Sequence, residues 1–173
     1  MAVPVPMTAA SRRASAAQDF LESGRAPHSP SSAGRILVVE DEPTVARLIA
    51  DVLEDANFQV DVLLDGRQAI ARASREQYDL IICDMKMPGL DGQHFYKTLQ
   101  RAGIHLPKPF LFVTGDVVSS HMREFLEYSK TPHLAKPFRI EELSEKVWDV
   151  LGHTAPRNTV ASIQEKRNAA RNG

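Results

Sequence analysis

Short apolar segments alternate with amphipathic ones through the middle of the chain. The short segments are almost continuously apolar and too brief for helices, which is typical of strands buried on both faces. The segments between them carry apolar residues at helical spacing. This alternation predicts a parallel β-sheet covered by helices. The five predicted strands are Arg35–Val39, Gln59–Leu64, Leu80–Cys83, Phe110–Val113 and His133–Ala135.

A predicted helix follows each strand. The first begins at Pro43, because a proline lacks the N–H that would be unpaired at a helix start. Its apolar face is formed by Val45, Leu48, Ile49, Val52 and Leu53. Trp148 lies beside the apolar stripe of the last helix, where it belongs either to the core or to a partner surface. The later helices are predicted after Asp65-Gly66, from about Gly92 to Arg101, from Ser119 to Tyr128, and from about Ile140 to Leu151.

The predicted strand order brings polar residues together at one edge of the sheet. Right-handed crossovers leave few workable orders, and 2-1-3-4-5 is a common one for this size. The fold class is therefore α/β, a doubly wound five-stranded parallel sheet with helices on both faces. Glu40 and Asp41 follow the first strand, and Asp84 ends the third. Since these two strands flank the switch point, where ligands bind in such sheets, the three carboxylates are expected to meet there.

Three carboxylates at one edge are unfavourable unless a cation lies between them. Two unit charges about 4 Å apart repel by roughly 4 kcal/mol at an effective dielectric constant of 20. Oxygen ligands with room for water suit Mg²⁺ better than zinc. Thr114 ends the fourth strand and Lys136 follows the fifth, which adds a hydroxyl and an amine. Such a set can bind a phosphoryl group, with the carboxylate as nucleophile and the other groups neutralising the phosphoryl oxygens.

Composition and charge restrict the classes of partner and the location. The net charge of -1 gives no reason to expect nucleic acid or an anionic membrane as a partner. Cys83 is the only cysteine, which excludes a disulfide within the chain and a cysteine-based zinc site. No apolar run approaches the roughly 20 residues of a membrane span, so we expect a cytoplasmic protein. Residues 1–34 and 152–173 are predicted to be flexible tails around a domain at residues 35–151.

Residues 35–151 resemble a receiver domain of two-component response regulators, which has a flavodoxin-like fold. Glu40-Asp41 match the acidic pair of that family, and Asp84 matches its phosphoacceptor within the run D-x-x-M-P-x-x-D-G. Thr114 matches the family's hydroxyl position, and Lys136-Pro137-Phe138 match its K-P-F motif. All of these positions occur in the expected order on the expected strand ends.

The resemblance implies a role for each matched position. Asp84 would accept a phosphoryl group from a histidine kinase or a histidine phosphotransfer protein. Glu40, Asp41, Asp84 and the backbone carbonyl of Lys86 would bind Mg²⁺. The peptide bond that precedes Pro137 would be cis. The chain would be a signalling phosphoacceptor, not an enzyme, and a monomer or weak homodimer.

The resemblance also implies a switch, and here the chain departs from the family. Thr114 would move toward the phosphoryl group while an aromatic residue, three positions before the lysine, turns inward. His133 occupies that position, and its polar ring is more costly to bury. Lys86 and Asp116 occupy variable positions beside the phosphoryl path. The surface of helix four, strand five and helix five would bind a downstream target.

Two alternatives remain open at the level of sequence. Too few residues follow Leu151 for an output domain, so we expect a receiver without one. The chain is alternatively a segment of a hybrid sensor kinase, or an intermediate that relays phosphate. A haloacid dehalogenase-type phosphatase would need an acid two residues after the nucleophile, where this chain has Lys86.

Overall fold

The strands and helices alternate as the sequence predicts. The computed structural model describes residues 32–102, 110–115 and 119–152; the predicted tails outside these ranges and Asp116 lie outside the described residues. The strands are β1 (Arg35–Val39), β2 (Gln59–Leu63), β3 (Leu80–Asp84), β4 (Phe110–Thr114) and β5 (His133–Ala135). The helices are α1 (Pro43–Asp55), α2 (Gly66–Ala73), α3 (Gly92–Arg101), α4 (Ser120–Ser129) and α5 (Ile140–Val150).

All strand pairs are parallel, and the order is β2-β1-β3-β4-β5. The predicted α/β fold and strand order are therefore confirmed. Several bounds differ by one residue from the prediction: β2 ends at Leu63, and α4 begins at Ser120 with Ser119 as its N-cap. Within the described residues, no helix is long and apolar enough to cross a membrane.

One hydrophobic core lies between the sheet and the helices α1 and α5. Ile36 and Val38 of β1 are fully buried there, together with Leu143 and Val147 of α5. Trp148 belongs to this core: only 8 % of its surface is exposed, and its ring centroid lies 4.8 Å from that of Phe58. The alternative that Trp148 forms an exposed partner surface is therefore excluded.

A second core lies on the other side of the sheet, beneath α2, α3 and α4. Its centre is a group of aromatic rings with centroids between 4.7 and 6.0 Å apart. The rings are tilted or edge-to-face, which is the favoured arrangement for aromatic pairs. They therefore fix the positions of α3 and α4 against β4. The members are Phe95, Tyr96, Phe110, Phe112 and Phe125.

The apolar face of α1 differs from the prediction at one position. Leu48 is 39 % exposed, whereas Ala46 and Ala50 are buried. Leu48 lies at the border of the buried face that includes Ile49 and Leu53, so the prediction for Leu48 was wrong. Small alanines bring the helix backbone close to the sheet, and this leaves the longer side chain at the border in solvent.

Side chains cap the helices next to the carboxyl ends of the strands. An oxygen of Asp65 accepts hydrogen bonds from the N–H of Arg67 at 2.7 Å and of Gln68 at 3.1 Å, at the start of α2. Asp91 likewise accepts from the N–H of His94 at 2.7 Å, at the start of α3. These bonds satisfy amide groups that have no partner within the helix. They fix the loops that follow β2 and β3.

A polar network joins β1, β2 and α2 at one edge of the sheet. The guanidinium of Arg35 donates to Asp61 at 2.6 Å and contacts Glu76. The hydroxyl of Tyr78 also donates to Asp61, at 2.8 Å. Burial, helped by the hydrogen bond and charge of Asp61, raises the pKa of Tyr78 to about 12, against the opposing effect of Arg72. The phenol therefore stays neutral as a hydrogen-bond donor at physiological pH.

Candidate functional site

The strand order places the predicted acidic residues side by side. Val39 of β1 is paired with Cys83 of β3. Glu40 and Asp84 are the next residues along these two strands, so they lie side by side at the same edge of the sheet. Glu40 is 1 % exposed and Asp84 is 6 % exposed, while Asp41 is half-buried. One carboxylate oxygen from each of these three residues lies within 4.8 Å of the others. The structure therefore brings together the acidic cluster that the sequence predicts.

Lys136 reaches this cluster from the fifth strand. Its backbone N–H donates to the carbonyl oxygen of Thr114 at 2.7 Å, which extends the β4–β5 pairing beyond Ala135. Its ammonium group donates to Asp84 at 2.8 Å and to the two oxygens of Glu40 at 2.8 and 3.1 Å. The peptide bond to Pro137 is cis, as expected. Lys136 thus bridges two buried carboxylates that belong to different strands.

The electrostatics of the cluster follow from burial and from this bridge. Burial raises the pKa of Glu40 to about 7, because desolvation and the charge of Asp84 outweigh the hydrogen bond from Lys136. Burial opposes the charged form of Lys136, but its bonds to Asp84 and Glu40 outweigh burial and raise its pKa. Lys136 is therefore a cation at neutral pH, and it compensates part of the charge of its two neighbours.

The loop after β3 holds the carboxylate of Asp84 in place. The N–H of Lys86 donates to a side-chain oxygen of Asp84 at 3.1 Å. The N–H of Met85 donates to Val113 at 2.9 Å, and that of Gly92 returns to the carbonyl of Met85 at 3.1 Å. A Cβ atom at Gly92 would overlap the backbone carbonyl of Asp84. Only glycine permits the loop to close this tightly against the end of the strand.

The donor set of the cluster fits Mg²⁺. Glu40, Asp41 and Asp84 supply hard oxygen ligands only, which magnesium prefers in proteins. Two of the three carboxylates, Glu40 and Asp84, are buried next to each other. The ammonium group of Lys136 donates a hydrogen bond to each of them. A divalent cation would favour the ionised form of Glu40, which burial disfavours. Whether the backbone carbonyl of Lys86 is a ligand stays a prediction.

An open cleft of about 510 Å³ leads to the acidic cluster. Asp41 and Lys86 lie on its walls, so the cluster is open to solvent on the side of Asp41. Sequence analysis did not assign Gln93, His121 or Met122 to the site, although all three line the cleft. They lie on the first turns of α3 and α4. Their positions in the sequence did not indicate the site, because it is the packing of these two helices that brings the three side chains to the cleft.

The other residues predicted for the site are Thr114, Lys86 and His133. Thr114 is fully buried at the end of β4, one strand away from Asp84. Lys86 is exposed on the wall of the cleft. His133 begins β5 beside Phe112, and its side chain is exposed, not turned into the core. The structure thus brings Thr114 to the edge that carries the acids, and it leaves His133 on the surface.

Comparison with known proteins agrees with this geometry. Residues 36–148 match the model of the response regulator receiver domain. The transcriptional regulatory protein PcoR of Escherichia coli is 36 % identical over 117 residues, which are 68 % of this chain and 51 % of PcoR. The chain spans about half the length of such curated relatives.

Solved structures show the same fold. The receiver domain of sensor histidine kinase PA1611 from Pseudomonas aeruginosa has a magnesium ion coordinated in its active-site cleft. It is 28 % identical, with a TM-score of 0.62, and the match covers 70 % of this chain and 99 % of that domain. Response regulator TrrA of Thermotoga maritima, in complex with Mg²⁺ and a beryllium fluoride group, is 29 % identical, with a TM-score of 0.58 and coverage of 67 % and 97 %. By its motif order, strand order and family match, the chain belongs to the response regulator receiver domain family.

Proposed function

We propose that the chain is the phosphoacceptor of a two-component pathway and that Asp84 accepts the phosphoryl group. One observation carries this proposal. Asp84 is the last residue of a buried strand, and its carboxylate accepts a hydrogen bond from Lys136 at 2.8 Å. The carboxylates of Glu40 and Asp41 lie beside it. A buried carboxylate with an adjacent cation and an open approach is suited to phosphoryl transfer, in which positioning and charge neutralisation dominate.

The proposed transfer forms an acyl phosphate. A carboxylate oxygen of Asp84 forms a bond to phosphorus while the bond between phosphorus and the imidazole nitrogen of a phosphohistidine breaks. The bonding electron pair stays on that nitrogen. Lys136 neutralises charge on the phosphoryl oxygens, since its ammonium already lies beside Asp84. Thr114 is placed at the end of the neighbouring strand to donate its hydroxyl to the same oxygens.

Glu40, Asp41, Asp84 and the backbone carbonyl of Lys86 would hold Mg²⁺ in this proposal. When bound, the ion supplies positive charge that neutralises the phosphoryl oxygens. The two known receiver structures above contain magnesium, which supports this assignment. The bonds from Lys136 hold the carboxylate of Glu40 beside that of Asp84.

The proposed partners are a protein that donates the phosphoryl group and a downstream protein that responds to it. A histidine kinase or a histidine phosphotransfer protein would donate the phosphoryl group in the cytoplasm. A downstream protein would bind the surface formed by α4, β5 and α5, with Thr114 and His133 as switch residues. The chain would act as a monomer or weak homodimer. A segment of a hybrid kinase, or a relay intermediate, would use the same chemistry at Asp84. Phosphotransfer from Asp84 to a second histidine protein would distinguish these roles from that of a receiver that acts on a target.

A phosphatase of the haloacid dehalogenase type is not favoured. Such an enzyme needs a carboxylic acid two residues beyond its nucleophile, and Lys86 occupies that position here. Lys86 lies on the wall of the cleft, and its side chain carries no carboxyl group. We therefore propose that the chain catalyses only its own phosphorylation and dephosphorylation.

Substitution of Asp84 tests the proposal. Asp84→Asn keeps the shape of the side chain but removes the nucleophile, so Mg²⁺-dependent labelling by acetyl phosphate should be lost. Asp91→Asn is the matched control, because Asp91 lines the same cleft and asparagine preserves its cap on α3. Labelling of the control should be retained. Undiminished labelling of Asp84→Asn would remove Asp84 from the mechanism.

A further inference from the structure

The first turns of two helices line the cleft beside the acidic cluster. Gln93 comes from α3 and His121 from α4, while Asp41 both lines the cleft and belongs to the acidic cluster. The proposed phosphorylation of Asp84 uses neither Gln93 nor His121. Because the cleft is open to solvent, water that reaches the acidic edge through it meets an amide and an imidazole.

His121 is the imidazole among the residues that line the cleft. Its side chain is exposed, and within the described residues the ring has no hydrogen-bond or ion-pair partner. The two carboxylates on the walls have other contacts. Asp41 belongs to the acidic cluster, and Asp91 accepts the N–H of His94 at the start of α3. His121 therefore gives the cleft a ring nitrogen that can accept a proton from water.

Packing fixes the first turn of α4, on which His121 lies. Phe125 follows His121 by one helical turn and lies on the same side of the helix. The ring centroid of Phe125 lies 5.6 Å from that of Phe112 and 6.0 Å from that of Tyr96. The hydroxyl of Ser119 caps the helix by accepting a backbone hydrogen bond at 3.4 Å. The fold itself thus holds the backbone of His121 at the cleft.

Gln93 is joined to the loop that holds Asp84. It follows Gly92 directly, and the N–H of Gly92 donates to the carbonyl of Met85 at 3.1 Å. A Cβ atom at Gly92 would overlap the backbone carbonyl of Asp84, so the two backbones are in contact. Gln93 is half-buried, which restricts its side chain. Its amide is therefore kept near the end of the strand that Asp84 terminates.

We propose that His121 and Gln93 set the lifetime of the phosphoryl group on Asp84. A water molecule in the cleft attacks phosphorus. The bond between its oxygen and phosphorus forms while the bond between phosphorus and the Asp84 oxygen breaks, and that electron pair returns to the carboxylate. His121 accepts the proton that the water loses, and the amide oxygen of Gln93 orients the water. This role rests on the proposed function, because it needs a phosphoryl group on Asp84.

Decay of the phosphoryl group after removal of the donor tests this role. The chain is labelled by radioactive acetyl phosphate with Mg²⁺, desalted and followed over time. His121→Ala should lengthen the half-life about tenfold, less than the roughly 100-fold typical of a general base, because bulk water also reaches the open cleft. Gln93→Ala should lengthen it about fivefold, the effect of one lost hydrogen bond. Neither variant should melt at a lower temperature, since alanine favours helices.

His94→Ala is the matched control. It removes an exposed imidazole from the first turn of α3 that is not among the residues lining the cleft, and it keeps the backbone N–H that Asp91 accepts. Its half-life should equal that of the unsubstituted chain. Free imidazole in the buffer should restore fast decay to His121→Ala and leave Gln93→Ala slow. The unsubstituted chain in the same buffer measures any direct attack by imidazole.

Three results would overturn the proposal. An unchanged or shortened half-life in His121→Ala or Gln93→Ala would show that these side chains do not activate water. Equal lengthening in His94→Ala would show that any lost imidazole suffices. Slow decay that imidazole fails to restore in His121→Ala would show that the ring acts only by its volume. A chain that takes up no label refutes the proposed function as well, whereas labelling at Asp84 with equal decay in all variants refutes this role alone.

Discussion

The α-carbon of Gly92 lies against the backbone carbonyl of Asp84, so that a Cβ atom at this position would overlap it. The obstacle is backbone and cannot rotate away. Gly92→Ala should therefore displace the end of β3 and reduce the free energy of unfolding by about 1–3 kcal/mol. The rate of labelling at Asp84 should fall as well.

Gly115→Ala is the control for this substitution, because a Cβ atom there meets no atom within 4 Å. Its stability in urea should stay within about 0.5 kcal/mol of the unsubstituted chain. Equal stability of the two alanine variants would show that the loop after β3 adjusts without cost.

Removing the cation of Lys136 should destabilise the metal-free chain. Lys136→Met leaves Glu40 and Asp84 buried without their bridge, and breaking a buried pair in this way costs about 3 kcal/mol. Mg²⁺ should restore part of this loss, since a ligand that binds only the folded state stabilises it. Lys86→Met, at an exposed position beside the cleft, should change stability by less than about 0.5 kcal/mol. Urea unfolding with and without Mg²⁺ decides between these outcomes.

Tyr78 should give the chain a defined loss of stability at high pH. Its pKa is raised to about 12 in the folded state, whereas a tyrosine in the unfolded chain titrates near about 10. The stabilisation is therefore complete below about pH 10 and is lost as the pH rises toward 12. Between about pH 10 and pH 12, the tyrosinate absorbance of the folded chain should therefore be lower than that of the chain unfolded in urea.

Two tyrosine variants identify the group responsible for this difference. Tyr78→Phe should remove the part of the absorbance difference that belongs to the buried phenol. Tyr128→Phe, in which a phenol that is 89 % exposed is lost, should retain it. The opposite pattern would mean that the network around Asp61 does not hold Tyr78 neutral.

Phosphorylation should alter the surface of α4, β5 and α5 more than the far edge of the sheet. Thr114 and Lys136 lie at the ends of β4 and β5, so a group bound at Asp84 that contacts them shifts the equilibrium of the attached helices. Amide hydrogen exchange with and without beryllofluoride should change from Ser119 to Trp148 and remain similar from Asn57 to Ser74.

His133 has a separate outcome in the same experiment. If the ring transmits the signal, His133→Ala should reduce the exchange difference in α4. An unchanged difference would leave Thr114 and Lys136 as the coupling groups. Equal exchange changes at both edges of the sheet would contradict a localised switch.

Much of the site follows from the sequence because strand ends are visible in it. Asp84 and Thr114 each end an apolar run, and parallel strands bring such ends to one edge. The bridge from Lys136 to Glu40 is not visible, because it joins residues 96 positions apart through side-chain reach. The exposure of Leu48 and the position of His121 likewise depend on how helices pack, which apolar spacing alone does not determine.

The position of Trp148 has a practical consequence. It is the only tryptophan in the chain, and it lies against Phe58 in the core beneath α1 and α5. The aromatic cluster beneath α4 lies on the opposite side of the sheet. Intrinsic tryptophan fluorescence therefore reports displacement of α5 and is insensitive to rearrangements confined to α4. The chain thus carries its own optical probe for deciding whether α5 moves when the acidic edge is occupied.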